Sequence, residues 1–99
     1  VTESDLKDRI MRALRGVTDG YFWRQGATPY GRSGIADILG CWDGRFVAIE
    51  AKRPGAYTSP ADGLRDSQWR FLRNIQSVGG LTLVTDDLDQ VLSFIKENA

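Results

Sequence analysis

Asp37, Glu50 and Lys52 are the residues of this 99-residue chain whose types and spacing could do chemistry. Between them stands an Asp43-Gly44 pair, flanked on both sides by β-branched and aromatic runs. That arrangement is a strong hairpin signal, because a type I′ turn needs positive φ at both central residues. With Asp43-Gly44 as the turn, Trp42 faces Arg45 and Asp37 faces Glu50. Directly opposed residues have Cβ atoms about 4.5–5.5 Å apart on one face of the pair. Lys52 lies two residues beyond Glu50, so the period of two puts it on that face as well. Leu39, Cys41, Phe46 and Ala48 complete the face, which is otherwise largely apolar.

Opposed like charges destabilise a strand pair, and an isolated buried charge costs roughly several kcal/mol. A divalent cation between the carboxylates resolves both difficulties. Ligands that are all oxygen suit Mg²⁺ or Mn²⁺ rather than zinc. The alternative is a structural Glu50–Lys52 ion pair with Asp37 hydrogen-bonded to backbone. The register and the apolar surroundings favour the cation.

The rest of the composition narrows the chemistry. There is no histidine, which excludes Ser-His and Cys-His catalysis and His-ligated metals. The single cysteine, Cys41, rules out an internal disulfide and fits a reducing, intracellular setting. Its place inside a strand reads as a small core residue rather than a nucleophile. No signal peptide and no apolar run long enough to span a bilayer are present, and Val1 points to a processed or truncated start. Thirteen basic and thirteen acidic residues balance, but unevenly. Arg24, Arg32, Arg45, Lys52, Arg53, Arg65, Arg70 and Arg73 crowd the middle, and the C-terminal part is acidic. With Asp37 and Glu50 neutralised by a cation, the middle suits a phosphate backbone; scattered solvated arginines are the bland alternative.

The elements that must position these groups are readable in order. Glu3 to Arg15 has Leu6, Ile10, Ala13, Leu14 and Val17 on one helical stripe, with Thr2 as N-cap, Asp5 in a capping-box place and Gly16 or Gly20 as terminator. Glu3, three residues before Leu6, is either an acid favoured by the helix N-terminus or a carboxylate that reaches the hairpin. Tyr21 to Arg24 is a short aromatic strand, with Phe22 on the opposite face from its neighbours. Gly26 to Gly34 is a loop whose Arg32 and Ser33 could meet phosphate oxygens, or simply an ordinary connection. The second hairpin face, with Ile38, Trp42, Val47 and Ile49, is also apolar, so the sheet needs helices on both sides. Arg53 to Arg65 reads as a loop beside the site. A helix then runs from Asp66 or Ser67 to about Val78, with Leu64, Phe71, Leu72, Ile75 and Val78 on its buried stripe. Gln68 falls on that stripe, either as a satisfied core amide or as part of the polar site. Gly79-Gly80 ends it, Leu81 to Thr85 is a strand, and Asp86 or Asp87 caps a last helix holding Leu88, Val91, Leu92 and Ile95. The fold class is therefore α/β, one domain over residues 1–99, in the order α-β-β-β-α-β-α.

Asp37, the hairpin and Glu50-Ala51-Lys52 match the Asp…(Asp/Glu)-x-Lys signature of the restriction-endonuclease-like, or PD-(D/E)xK, nucleases. More narrowly, the chain resembles the stand-alone phage type of virus-type replication-repair nuclease domain, VRR-NUC. The resemblance rests on the run from Gly31 to Gly40, on Glu50-Ala51-Lys52-Arg53-Pro54-Gly55, on Ser67-Gln68-Trp69-Arg70-Phe71-Leu72 and on Gly79-Gly80. Ala36 stands where relatives often have proline, a change in backbone stiffness and not in ligand chemistry. The resemblance implies a restriction-endonuclease-like core with a mixed central sheet and helices on both faces. It implies Mg²⁺ or Mn²⁺ bound by Asp37, Glu50 and the Ala51 carbonyl, with Glu3 contributing directly or through water. Lys52 would orient the attacking water or stabilise developing charge, and Gln68 would sit beside it. Arg32, Ser33, Arg53 and Arg65 are the expected DNA contacts.

The expected activity is metal-dependent endonucleolytic cleavage of branched DNA, foremost four-way (Holliday) junctions. Alternatives are a nuclease for nicks, flaps or ends, and a catalytically silent DNA-binding module. One carboxylate cluster cuts one strand at a time, so symmetric resolution of a junction calls for a two-fold homodimer. Trp69, Phe94 and the consecutive Tyr21, Phe22 and Trp23 are more large apolar groups than the core obviously needs, and a partner would cover some of them.

Overall fold

A computed structural model describes residues 1–26, 34–55 and 64–99. Its elements are α1 (Glu3–Val17), β1 (Tyr21–Arg24), β2 (Ile38–Trp42), β3 (Arg45–Ala51), α2 (Asp66–Ser77), β4 (Leu81–Thr85) and α3 (Leu88–Asn98). This is the order expected from the sequence. Asp43 at φ 53° and Gly44 at φ 74° close the hairpin between β2 and β3, as a type I′ turn requires. The two-residue turn sets the register: Trp42 opposes Arg45 and Ile38 opposes Ile49. One step further out, Asp37 comes to Glu50.

The sheet runs β1-β2-β3-β4. β1–β2 and β2–β3 are antiparallel, and β3–β4 is parallel. The parallel pair needs a crossover, and α2 supplies it on one face. Both faces are apolar, as the hairpin pattern required. Ile38, Trp42, Val47 and Ile49 pack with Phe22 against α1 and α3. Leu39 and Ala48 pack against Leu72, Phe71 and Ile75 of α2. Each fully buried aliphatic side chain in these two layers contributes about 1.5–3 kcal/mol of transfer free energy.

The helix ends refine the expectations. The Thr2–Asp5 capping box is present, with reciprocal bonds of 2.9 and 3.1 Å. Thr18, not a glycine, closes α1: its N–H and its hydroxyl both donate to the Leu14 carbonyl. Met11 joins Leu6, Ile10 and Leu14 in the core, whereas Val17, the last residue of α1, is 58% exposed. Val78, at the C-cap of α2, is 83% exposed. On α3 the buried set is Val91, Phe94 and Ile95, with Leu92 exposed. Turning Phe94 inward instead of Leu92 buries the larger apolar group. Cys41 is exposed rather than a core residue. It pairs with Tyr21 and Phe46 at the turn end of β2, on the face that α2 covers only further along, over Leu39 and Ala48.

Candidate active site

Asp37 immediately precedes β2, and Glu50 is the penultimate residue of β3. Three elements hold them. From the sheet, the Ala51 N–H donates to Asp37 Oδ2 at 2.9 Å. The Asp37 carbonyl accepts the Gln25 N–H at 2.7 Å, which carries the β1–β2 pairing one residue past the strand ends. From α2, Gln68 Nε2 donates to Glu50 Oε2 at 2.7 Å. Gln68 is the third residue of α2, and its Oε1 accepts the Arg65 N–H at 2.9 Å. One amide thus caps its own helix and grips the site, so the helix start is locked to the carboxylate. Gly34 permits that docking: at φ +83°, a Cβ there would lie 2.7 Å from the Ser67 backbone. From α1, Lys7 Nζ lies 3.1 Å from Asp37 Oδ1.

The two carboxyl groups share a hydrogen bond, and their acidities part. Glu50 is only 3% exposed. Its burial, the hydrogen bond with Asp37 and the charge of Asp37 push its pKa up to about 9, against the opposing pull of Lys52 and Lys7. Burial also works against the charge on Asp37. The bonds from Glu50 and the Ala51 N–H, with the Lys7 ammonium, outweigh it and hold Asp37 below the usual carboxylate range. Glu50 is therefore the weaker acid of the pair, and at neutral pH its environment favours the protonated form. Two crowded carboxyls resolve their repulsion in this way even with the Lys7 and Lys52 ammoniums nearby, because burial of Glu50 outweighs their pull.

Lys52 follows β3 directly, and its N–H donates to the Thr85 carbonyl at 2.8 Å, extending the parallel pairing to β4. Its half-buried side chain is close enough for its charge to act on Glu50. The structure thus brings together Asp37, Glu50, Ala51, Lys52 and Gln68. Glu3 is half-buried and lies on α1 one turn before Lys7, but no hydrogen bond or ion pair links it to Asp37 or Glu50. Among the described residues no group of three or more acidic, Cys or His side chains gathers. Arg53 and Arg65 are exposed beside the site, while Arg32 and Ser33 lie outside the described residues. Lys7 escaped the sequence reading. Its signal was there: it stands four residues after Glu3, on the same helical row.

All the oxygens at this centre are hard donors. A pair of crowded carboxyls, one buried and one half-buried, is a donor set that a small divalent cation fits. Asp37 and Glu50 would hold it, and Ala51 contributes a buried backbone carbonyl at the same strand end.

No model of a known protein family matches the sequence, and no curated protein matches it. Solved structures do. A VRR-NUC domain superposes with a TM-score of 0.76 over 100% of both chains, at 18% sequence identity. A VRR-NUC domain protein does so with a TM-score of 0.68 over 97% of this chain and 86% of the other, at 20% identity. The class that architecture defines is the restriction-endonuclease-like fold, an α/β domain with a mixed four-stranded sheet between helices. Within it, this chain has the form taken by VRR-NUC domains along its whole length. Among the described residues no helix is long and apolar enough to cross a membrane.

Proposed function

We propose that the chain is a divalent-cation-dependent DNA endonuclease selective for branched DNA, with four-way junctions as its foremost substrate. The observation that carries this reading is the Asp37–Glu50 pair. A buried carboxyl, Glu50, and a half-buried one, Asp37, meet at the ends of adjacent strands, with Lys52 two residues on, in a fold that VRR-NUC domains share.

A Mg²⁺ or Mn²⁺ held by Asp37, Glu50 and the Ala51 carbonyl, with Glu3 contributing directly or through water, would supply positive charge to the scissile phosphate and to the attacking water. The chain's own residues do the rest. Gln68 keeps the Glu50 carboxylate turned into the site, and the Ala51 N–H does the same for Asp37. Rigid mounting of this kind supplies the orientation that in-line attack demands. Lys52 sits where an ammonium can stabilise charge that develops on the phosphate or orient the water. Attack in line with the 3′ oxygen leaves a 5′-phosphate. Arg53, next to Lys52, and Arg65, whose N–H bonds Gln68, are exposed and would meet flanking phosphates.

Two symmetric cuts in a junction call for a two-fold homodimer. The apolar surface available for it is narrower than the sequence implied, because Phe22 and Phe94 are buried within the chain. Tyr21 and Trp23 remain outside, with ring centroids 5.9 Å apart. The test is a cleavage panel of four-way junctions, flaps, nicked and linear duplexes in Mg²⁺, Mn²⁺ and EDTA. Expected are metal-dependent paired nicks at symmetric positions on the junction, and a dimer by sedimentation at micromolar concentration. DNA binding without cleavage in either cation would make the chain a silent binding module. A monomer that degrades linear duplex as fast as junctions would remove the junction and dimer readings and leave the metal site standing.

A further inference from the structure

The Lys7 contact belongs to no motif. Its ammonium lies 3.1 Å from Asp37 Oδ1, and both side chains are 21% exposed. Two further partners of the carboxyl pair are neutral donors, the Ala51 N–H on Asp37 Oδ2 and the Gln68 amide on Glu50 Oε2. Those two cannot leave without cost. Withdrawing the Ala51 N–H would break the strand end, and withdrawing Gln68 would uncap α2. Lys7 differs, because a lysine head can swing away on its four-carbon stem without moving the backbone.

We propose that Lys7 is an exchangeable placeholder: it occupies Asp37 in the absence of the divalent cation and passes to a DNA phosphate when the cation takes its position. The inference rests on the nuclease reading above. A divalent ion on Asp37 repels a +1 charge about 3 Å from the same oxygen strongly enough to displace it. Buried Leu6 and Ile10 fix the α1 backbone on either side of Lys7, so the released ammonium stays within its stem's reach of the site. A half-buried cation beside a second cation is then a site for an anion, and the incoming anion is the phosphate backbone. Cation and DNA each free Lys7 for the other, so their binding is reciprocally coupled through this one side chain.

Manganese titration by calorimetry, without DNA, separates this role from a merely structural one. Lys7→Met removes the competitor and should bind Mn²⁺ about tenfold more tightly than wild type, a typical coupling. Lys7→Arg keeps the charge and should bind like wild type. A pin that only fastened α1 to the sheet would give the opposite sign, since its loss loosens the ligands. Junction binding in Ca²⁺ supplies the second readout: the Lys7→Met slope of log affinity against log salt should be shallower by about one phosphate contact. A melt in EDTA checks folding, and Lys7→Gln replaces Lys7→Met should the latter not fold. Mn²⁺ affinity unchanged or lowered in the charge-removing variant, or an unchanged salt slope, would overturn the proposal. Absence of any Mn²⁺ binding by wild type would overturn the cation reading itself, a result distinct from wild type binding and Lys7→Met gaining nothing.

Discussion

Glu50→Gln should make the metal-free protein more stable at neutral and alkaline pH while abolishing cleavage. Glu50 is held protonated in the fold, with its pKa raised from 4.5 to about 9. Its contribution to stability is therefore fully present below pH 4.5 and is lost progressively as pH rises toward 9. At pH 7.5, about three units above the ordinary carboxyl value, linkage at ~1.4 kcal/mol per unit sets the loss near 4 kcal/mol. Relaxation and water entry in a real site reduce this to about 2 kcal/mol. Glutamine reproduces the protonated acid: its amide N–H₂ can donate to Asp37, and its carbonyl can accept from Gln68 Nε2. The variant keeps the contacts and loses the proton dependence. For a domain of this size, ~2 kcal/mol is a rise in Tm of about 10 °C. Thermal melts in EDTA from pH 5 to pH 9 test it. Wild type should weaken across that range, the variant should stay flat, and the two should converge near pH 5. Adding Mg²⁺ should raise the Tm of wild type and not of Glu50→Gln. Parallel pH profiles, or a variant less stable than wild type at pH 8, would refute the assignment of the proton to Glu50.

Lys52→Ala should lose turnover while keeping Mn²⁺ affinity within about tenfold, or ~1.4 kcal/mol, in the same calorimetry; a collapse of metal binding would make Lys52 a structural partner of Glu50. Gln68→Ala uncaps α2 and frees Glu50, so it should cost about 1–2 kcal/mol in urea melts and lower kcat as well. Glu3→Gln should reduce the cleavage rate without unfolding the protein; if rate and Mn²⁺ affinity are both unchanged, Glu3 serves only the helix N-terminus.

What the sequence determined by itself was whatever depends on local periodicity. Asp43-Gly44 admits one turn type, a two-residue turn leaves one register, and that register carries Asp37 to Glu50 by counting. Gln68 was legible as a polar group on an apolar helical stripe that had to find a partner, and it found Glu50. The two-sided apolar pattern of the hairpin required helices on both faces, and they are there. Tertiary structure decided where one layer ends on another. The outward turn of Leu92, the inward turn of Phe94 and the exposure of Cys41 all depend on how far a helix overlaps the sheet. No short-range rule encodes that overlap. The Lys7–Asp37 contact is of the same kind. The helix period puts Lys7 on the row of Glu3, but which turn of that row meets the carboxyl pair is set by the docking of α1. The split acidities of Asp37 and Glu50 came last, because they need burial, a shared proton and the fields of Lys52 and Lys7 to act at once. Pattern places charges on a face; only the packed fold sets the dielectric and the distances at which they act.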